Sequence, residues 1–182
     1  LALPGAVYQV SESLDLAVVG GGQPRGICGS GILDAIAALL KTGILDRSGL
    51  LREGEPFRDR IIREADGSLK FALAPELFLT QKDIRAVQLA KGALRCAVDA
   101  LLDQAGTTAE RLDAVYLAGA LGTSLQVEST LETGLLPPIA TEKVSQLGNA
   151  AIIGAKAILL SAGLKAEAER LARRVADRPD EP

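Results

Sequence analysis

The chain alternates short apolar runs that stop at glycine or proline with longer stretches whose apolar residues recur every three to four positions. Ala6 to Val10 and Leu14 to Val19 read as strands, the first behind the Pro4-Gly5 turn and the second broken by Gly20-Gly21-Gly22-Gln23-Pro24. Ile32, Leu33, Ile36, Leu39 and Leu40 share one face of a helix from Ile32 to Lys41, and Gly43 ends it. Asp46 to Arg58 is polar and reads as a loop. Arg60 to Glu64 and Ser68 to Leu73 flank Ala65-Asp66-Gly67, a hairpin signal, and Leu77 to Leu79 adds a short strand. Thr80, with Asp83 behind it, predicts the N-cap of a long helix reaching about Gln104, with Gly106 just beyond its end. The apolar stripe of that helix is Ile84, Val87, Leu94, Val98 and Leu101, and Lys91 falls at the edge of the same arc.

In the last third, Ala114 to Ala118 reads as a buried strand that stops at a small-residue loop, Gly119 to Ser124. A helix-like stretch, Leu125 to Thr133, follows. Pro137-Pro138 makes residues 134–141 a loop. Gly148-Asn149 opens a helix from Ala150 to Ser161 that is nearly all small or apolar and is therefore expected to be buried. Leu164 to Ala176 predicts a charged amphipathic helix, and Asp177 to Pro182 a frayed tail. No internal repeat or low-complexity linker interrupts the pattern, so residues 1–182 read as one domain.

Composition narrows the chemistry. Aromatic residues make up only 3%, so Leu, Ala, Ile and Val must build the core. A net charge of −3 leaves no basic excess to neutralise phosphates, which argues against nucleic acid as the main partner. No run approaches the roughly 18 apolar residues of a membrane span. No basic-then-apolar leader opens the chain, and a cytoplasmic setting is expected. The chain has no histidine, which removes Ser-His-Asp and Cys-His catalysis and every His-ligated metal site. Its two cysteines, Cys28 and Cys96, cannot make a four-cysteine site and are expected to be reduced. The chain begins at Leu1 and contains no methionine, which suggests a piece of a longer protein.

Two glycine-led segments carry the candidate chemistry. A strand entering Gly119 to Ser124 and leaving into a helix is a common way to seat a nucleotide, because glycines let backbone approach a base or phosphate and a helix start offers free N–H groups. The alternative is a tight strand-to-helix turn. The second segment, Gly26-Ile27-Cys28-Gly29-Ser30-Gly31, matches neither the dinucleotide fingerprint nor a P-loop. Either Gly29, Ser30 and Gly31 present N–H groups to a phosphate, or small residues allow a close helix–helix contact. Cys28 at a helix start could be an activated thiol, but a buried, inert cysteine is the commoner outcome. Asp34 reads as a charge favoured by the helix dipole, and Glu128 and Glu132 as a solvated face. Asn149 is expected to cap its helix.

Together the motifs resemble a known family. They are Leu3-Pro4-Gly5-Ala6, Pro24 to Asp34, Thr80 to Ile84, Gln88-Leu89-Ala90-Lys91, Leu117 to Gly122 and Gly148-Asn149-Ala150-Ala151. In this order they are similar to the C-terminal part of the reductive activators of corrinoid proteins. These are ferredoxin-containing ATPases of the acetate kinase, sugar kinase, heat-shock chaperone and actin superfamily. The resemblance covers the chain from Leu3 to about Ser161.

It implies an α/β fold: half of an actin-like, ribonuclease H-like ATPase domain, with a five-stranded or similar mixed sheet flanked by helices. It implies ATP or ADP with magnesium as ligand. Leu117 to Thr123 would be the adenosine loop, so that Gly119, Ala120, Gly122 and Thr123 back the base and ribose. Gly29, Ser30 and Gly31 would face the nucleotide, and Gln88 and Lys91 would line its adenosine side. No residue of this chain is assigned a catalytic or metal-binding role. Ala120 departs from the usual second glycine. The acidic Asp-x-Gly loops that work through magnesium and the cysteine-rich ferredoxin domain are absent from this sequence, so the fragment alone is expected to be inactive. Its parent would return cobalt(II) corrinoid to cobalt(I), with a corrinoid protein or corrinoid-dependent methyltransferase as partner and a homodimer left open. The alternatives are a small-molecule kinase of the same superfamily and a non-catalytic interaction module.

Overall fold

The computed structural model describes residues 3–174. It contains eight strands and six α-helices among those residues. In chain order they are β1 (Ala6–Val10), β2 (Leu16–Val18), β3 (Gly26–Ile27), α1 (Gly29–Lys41), β4 (Ile61–Arg63), β5 (Leu69–Ala74), β6 (Leu77–Thr80) and α2 (Gln81–Gln104). β7 (Val115–Ala118), α3 (Gly119–Ser124), α4 (Val127–Glu132), β8 (Val144–Gly148), α5 (Ala150–Leu160) and α6 (Ala162–Ala172) complete the order.

The chain falls into two compact units. One holds the described residues up to Tyr116 together with Ser124–Ser145, and the other holds Leu117–Thr123 and the described residues from Gln146 onward. The first unit carries the main core. Its mixed sheet has the order β2-β1-β3, with β2 antiparallel and β3 parallel to β1. A second, antiparallel sheet runs β4-β5-β6, and Ile61 opposite Phe71 and Phe71 opposite Leu79 fix its register. Val7 and Val10 of β1, Ile36 and Leu39 of α1, Phe71 and Leu79 of the second sheet and Ile84 of α2 are all buried in one cluster. The strands lie in three separate sheets rather than in one five-stranded sheet.

Local signals explain most boundaries. At the start of α2, the Thr80 side chain accepts from the Asp83 N–H, and the Asp83 carboxylate accepts from the Thr80 N–H at 2.9 Å. This reciprocal cap contributes about 1 kcal/mol. Arg60 sits against the rings of Phe57 and Phe71, at 5.6 and 5.0 Å, and donates to the carbonyls of Ala72 and Leu73. It thereby holds the 3-10 turn Arg58–Arg60, which leads into β4, on the second sheet.

Several expectations give way. α1 begins at Gly29, three residues before the first periodic apolar residue. The stretch Gly119 to Ser124 is a short helix, not a loop. β7 was expected to be buried, yet none of its residues is, and Tyr116 is 63% exposed. Among the described residues its sheet has two strands, β7 and β8, so each is an edge strand. β8 itself has no apolar run to announce it. α5, expected to be buried, has no buried residue, and Leu160 is 88% exposed. The α2 stripe is buried only at Ile84, while Leu94 and Leu101 are exposed. The tail from Asp177 to Pro182 and the end of the last predicted helix, residues 175–176, lie outside the described residues.

Candidate functional site

In the first unit, the glycine segment Gly29-Ser30-Gly31 is the first turn of α1. Three contacts seat it on β1. The Cys28 N–H donates to the Val7 carbonyl at 2.7 Å, the Ser30 hydroxyl donates to the Tyr8 carbonyl at 2.7 Å, and the Val10 N–H donates to Asp34 Oδ2 at 3.2 Å. Gly31 has no room for a side chain, since a Cβ there would stand 2.7 Å from the Val7 carbonyl oxygen. Gly31 therefore serves a close helix–strand contact, where the packing alternative had been a helix–helix contact. Gly29 itself is exposed, and no side chain caps the helix start. Ser30 and Gly31 behind it are buried, so Gly29 is the exposed residue of this helix start. Cys28 is half-buried at the N-cap position rather than fully buried, and Cys96 is exposed; both are free thiols.

Asp34 is the residue sequence reasoning misplaced. It is only 2% exposed, not a solvated partner of the helix dipole. Burial pushes its carboxyl upward from the usual range, against the lowering effects of the Ser129 hydroxyl and the Val10 N–H. The signal was present in the sequence: Ser30, Asp34, Ala37 and Ala38 follow helical spacing on the side that meets β1 and α4.

Gln88 and Lys91 of α2 come together at one small cavity of about 80 Å³ in the same unit, which Ile36 and Leu40 of α1 also line. Gly29, Ser30 and Gly31 do not line it. Gln88 Nε2 donates to the Ser48 carbonyl at 3.1 Å, and its Oε1 accepts from Arg85. The Lys91 ammonium points toward Gly134, where a built Cβ would lie 3.3 Å from Nζ. Among the described residues no hydrogen bond or ion pair ties up Lys91 Nζ. The nearby carboxylate of Glu132 is taken by Arg47 at 3.1 Å, so Glu132 is not simply solvated as the sequence suggested. Arg85, Arg47 and Gly134 are the residues here that sequence reasoning missed. Only Arg85, one turn before Gln88, was traceable from helical spacing.

In the second unit, β7 passes directly into α3 at Gly119, whose φ of +89° lies in the left-handed region. Glycine is the residue that turns a strand into a helix at that angle without a Cβ penalty. Gly122 is buried, and a Cβ there would meet the Leu117 carbonyl carbon at 3.2 Å. Its carbonyl accepts from Gln146 Nε2 at 3.0 Å, and the Thr123 hydroxyl donates to the Gly119 carbonyl at 2.7 Å. Ala120 and Thr123 are exposed. Asn149 caps α5 by accepting from the Ile152 N–H at 3.1 Å, as its position predicted.

A mixed sheet carrying a glycine-led helix, an inserted sheet-and-helix segment and a strand–glycine–helix turn define an α/β domain of the actin-like ATPase kind. A solved structure, the reductive activator for corrinoid, iron–sulfur protein, matches 94% of the chain with a TM-score of 0.79 and 36% identity. The chain belongs to the family of the C-terminal domain of RACo, the ASKHA domain, whose model matches residues 1–178. Among curated relatives it is 34% identical to the corrinoid activation enzyme RamQ of Eubacterium limosum, over 86% of this chain. It is 30% identical, over 74% of this chain, to the [Co(II) methylated amine-specific corrinoid protein] reductase of Methanosarcina barkeri. The chain spans 29% of the first relative, 22% of the second and 29% of the chain in the solved structure.

Proposed function

We propose that this chain is the nucleotide-binding C-terminal part of an ATP-dependent activator that returns cobalt(II) corrinoid protein to cobalt(I). The observation that carries the reading is the start of α1: glycine-led, exposed at Gly29, uncapped by any side chain and fixed from behind to β1. Such a terminus offers fixed N–H donors to a phosphate at little cost in reorganisation. The names of the relatives supply the corrinoid partner and the reductive sense of the reaction.

In this reading Gly29, Ser30 and Gly31 hold phosphate oxygens through backbone N–H groups. Gln88 and Lys91 approach the adenosine side, with the Lys91 ammonium open to a polar ligand atom. Gly119, Ala120, Gly122 and Thr123 back the base and ribose. Magnesium would accompany the nucleotide. Among the described residues no group of three or more His, Cys, Asp or Glu is placed to hold a metal ion, so its ligands would come from the nucleotide and from elsewhere in the parent. Two cysteines likewise cannot ligate an iron–sulfur cluster alone, so the electron donor belongs to a part of the parent outside this sequence. A cytoplasmic setting and action as a homodimer are parts of the same proposal. No helix among the described residues is long and apolar enough to cross a membrane.

Titration with ADP and magnesium, followed through amide shifts, tests the reading. Saturable shifts at Gly29–Gly31, Lys91 and Gly119–Thr123 with one common affinity are expected. In the full-length parent, nucleotide binding that leaves all three segments unshifted overturns it.

A further inference from the structure

The junction of β1, α1 and α4 holds a carboxyl with an unmet need. Asp34 is 2% exposed, and its Oδ2 accepts from the Val10 N–H at 3.2 Å. Its Oδ1 is buried without a hydrogen-bond partner. No cation pairs with the carboxyl among the described residues. Lys41, on the same helix, is engaged by Glu12. A cavity of about 180 Å³ lies beside Asp34, and the charged groups around it are Glu12 beyond β1, Lys41 of α1 and Glu128 of α4. The Ser129 hydroxyl of α4 also lines that cavity.

An ionised carboxylate that is buried, unpaired and half-satisfied is costly. A neutral carboxylic acid is not, because its O–H can donate while its other oxygen still accepts from Val10. We propose that Asp34 is the positioning residue of the glycine-led start of α1: as the neutral acid it ties α1 to β1, Oδ2 accepting from Val10 while the unpartnered Oδ1 carries the proton beside the cavity that Ser129 of α4 also lines. Loss of the proton leaves a buried charge that the Val10 N–H and the Ser129 hydroxyl only partly offset, and it strains the seat of α1 on β1. The upward push that burial gives this carboxyl agrees with the geometry. The role deepens the nucleotide reading, since Asp34 lies one turn after Ser30 and shares its seat on β1. α4 begins three residues after Ser124 in the chain.

The experiment compares the chain with Asp34→Asn, whose amide is isosteric with the neutral acid, and with Ser129→Ala, between pH 4 and pH 8. Asp34→Asn is expected to fold. The ratio of folded to unfolded wild type should fall relative to Asp34→Asn as the pH rises, by up to about tenfold per pH unit through the titration. Glu12, Glu128 and Lys41 are present in both proteins, so the difference isolates Asp34. The amides of Ser30 and Gly31 should shift with the same midpoint in wild type and stay flat in Asp34→Asn. In Ser129→Ala, which removes a donor to the carboxylate, the midpoint of that shift should move to higher pH.

A stability difference that does not vary with pH, or Asp34→Asn less stable than wild type throughout, overturns the neutral junction. Ser30 and Gly31 amides that do not follow the titration overturn the positioning role. Neither readout needs a nucleotide, so a failure of nucleotide binding would strike only the functional reading.

Discussion

Replacing Gly31 with alanine tests the seat on which the candidate site rests. The added Cβ would stand 2.7 Å from the Val7 carbonyl oxygen, 3.1 Å from Ile27 Cγ1 and 3.3 Å from the Val7 carbonyl carbon. The oxygen cannot easily retreat, because it accepts from the Cys28 N–H at 2.7 Å and belongs to a residue with no exposed surface. The helix cannot easily retreat either, since Ser30 and Asp34 hold it to the same strand. Relieving the overlap needs a shift of about half an ångström, and overpacking of this kind costs about 1–3 kcal/mol. Alanine returns part of that through helix propensity, at most about 1 kcal/mol and less in a first turn. The net expectation is a loss of about 1–2 kcal/mol. It should appear as a lower urea midpoint at unchanged m, or a fall of about 3–6 °C in Tm. Gly92→Ala is the control: it lies inside α2 with open space around its position, and it should stabilise by up to about 1 kcal/mol. If Gly31→Ala matches or exceeds the wild type while Gly92→Ala behaves as expected, the close helix–strand approach is wrong.

Thr80→Ala removes one half of the reciprocal cap of α2 and should cost about 1 kcal/mol by urea denaturation, with no loss confirming that another group satisfies that helix start. Asp46 accepts from the Ser48 hydroxyl, the Leu50 N–H and Arg52, and these contacts hold its carboxyl well below the usual carboxylate range. A depressed group stabilises above its unfolded pKa and loses that effect as the pH falls through its folded one. Asp46→Asn should therefore be less stable than wild type at pH 7, with a gap that closes toward pH 2; a gap constant with pH would contradict it. In the proposed adenosine site, Lys91→Ala should weaken ADP binding by about tenfold in a calorimetric titration of the full-length parent while leaving the fold intact, as loss of one charged contact implies. Unchanged affinity would remove Lys91 from the site.

The sequence by itself carried the elements whose signals are local. The hairpin at Asp66-Gly67, the Thr80–Asp83 cap, the full reach of α2 to Gln104 and the Asn149 cap all follow from residues within one turn of each other. The order of its motifs also pointed to the family. What it left open depends on which surfaces meet. An apolar strand or helix reads as buried whether or not a neighbour covers it. Only the tertiary structure decided that β7 and α5 stay largely exposed while Asp34, a charged residue, goes inside. Likewise, Gly29-Ser30-Gly31 reads the same for a phosphate cradle and for close packing. The structure divides it, with Gly31 and the Ser30 hydroxyl given to β1 and the exposed Gly29 leading the uncapped helix start. Periodicity along a chain fixes the face a residue occupies, and only contacts between distant segments fix what that face meets.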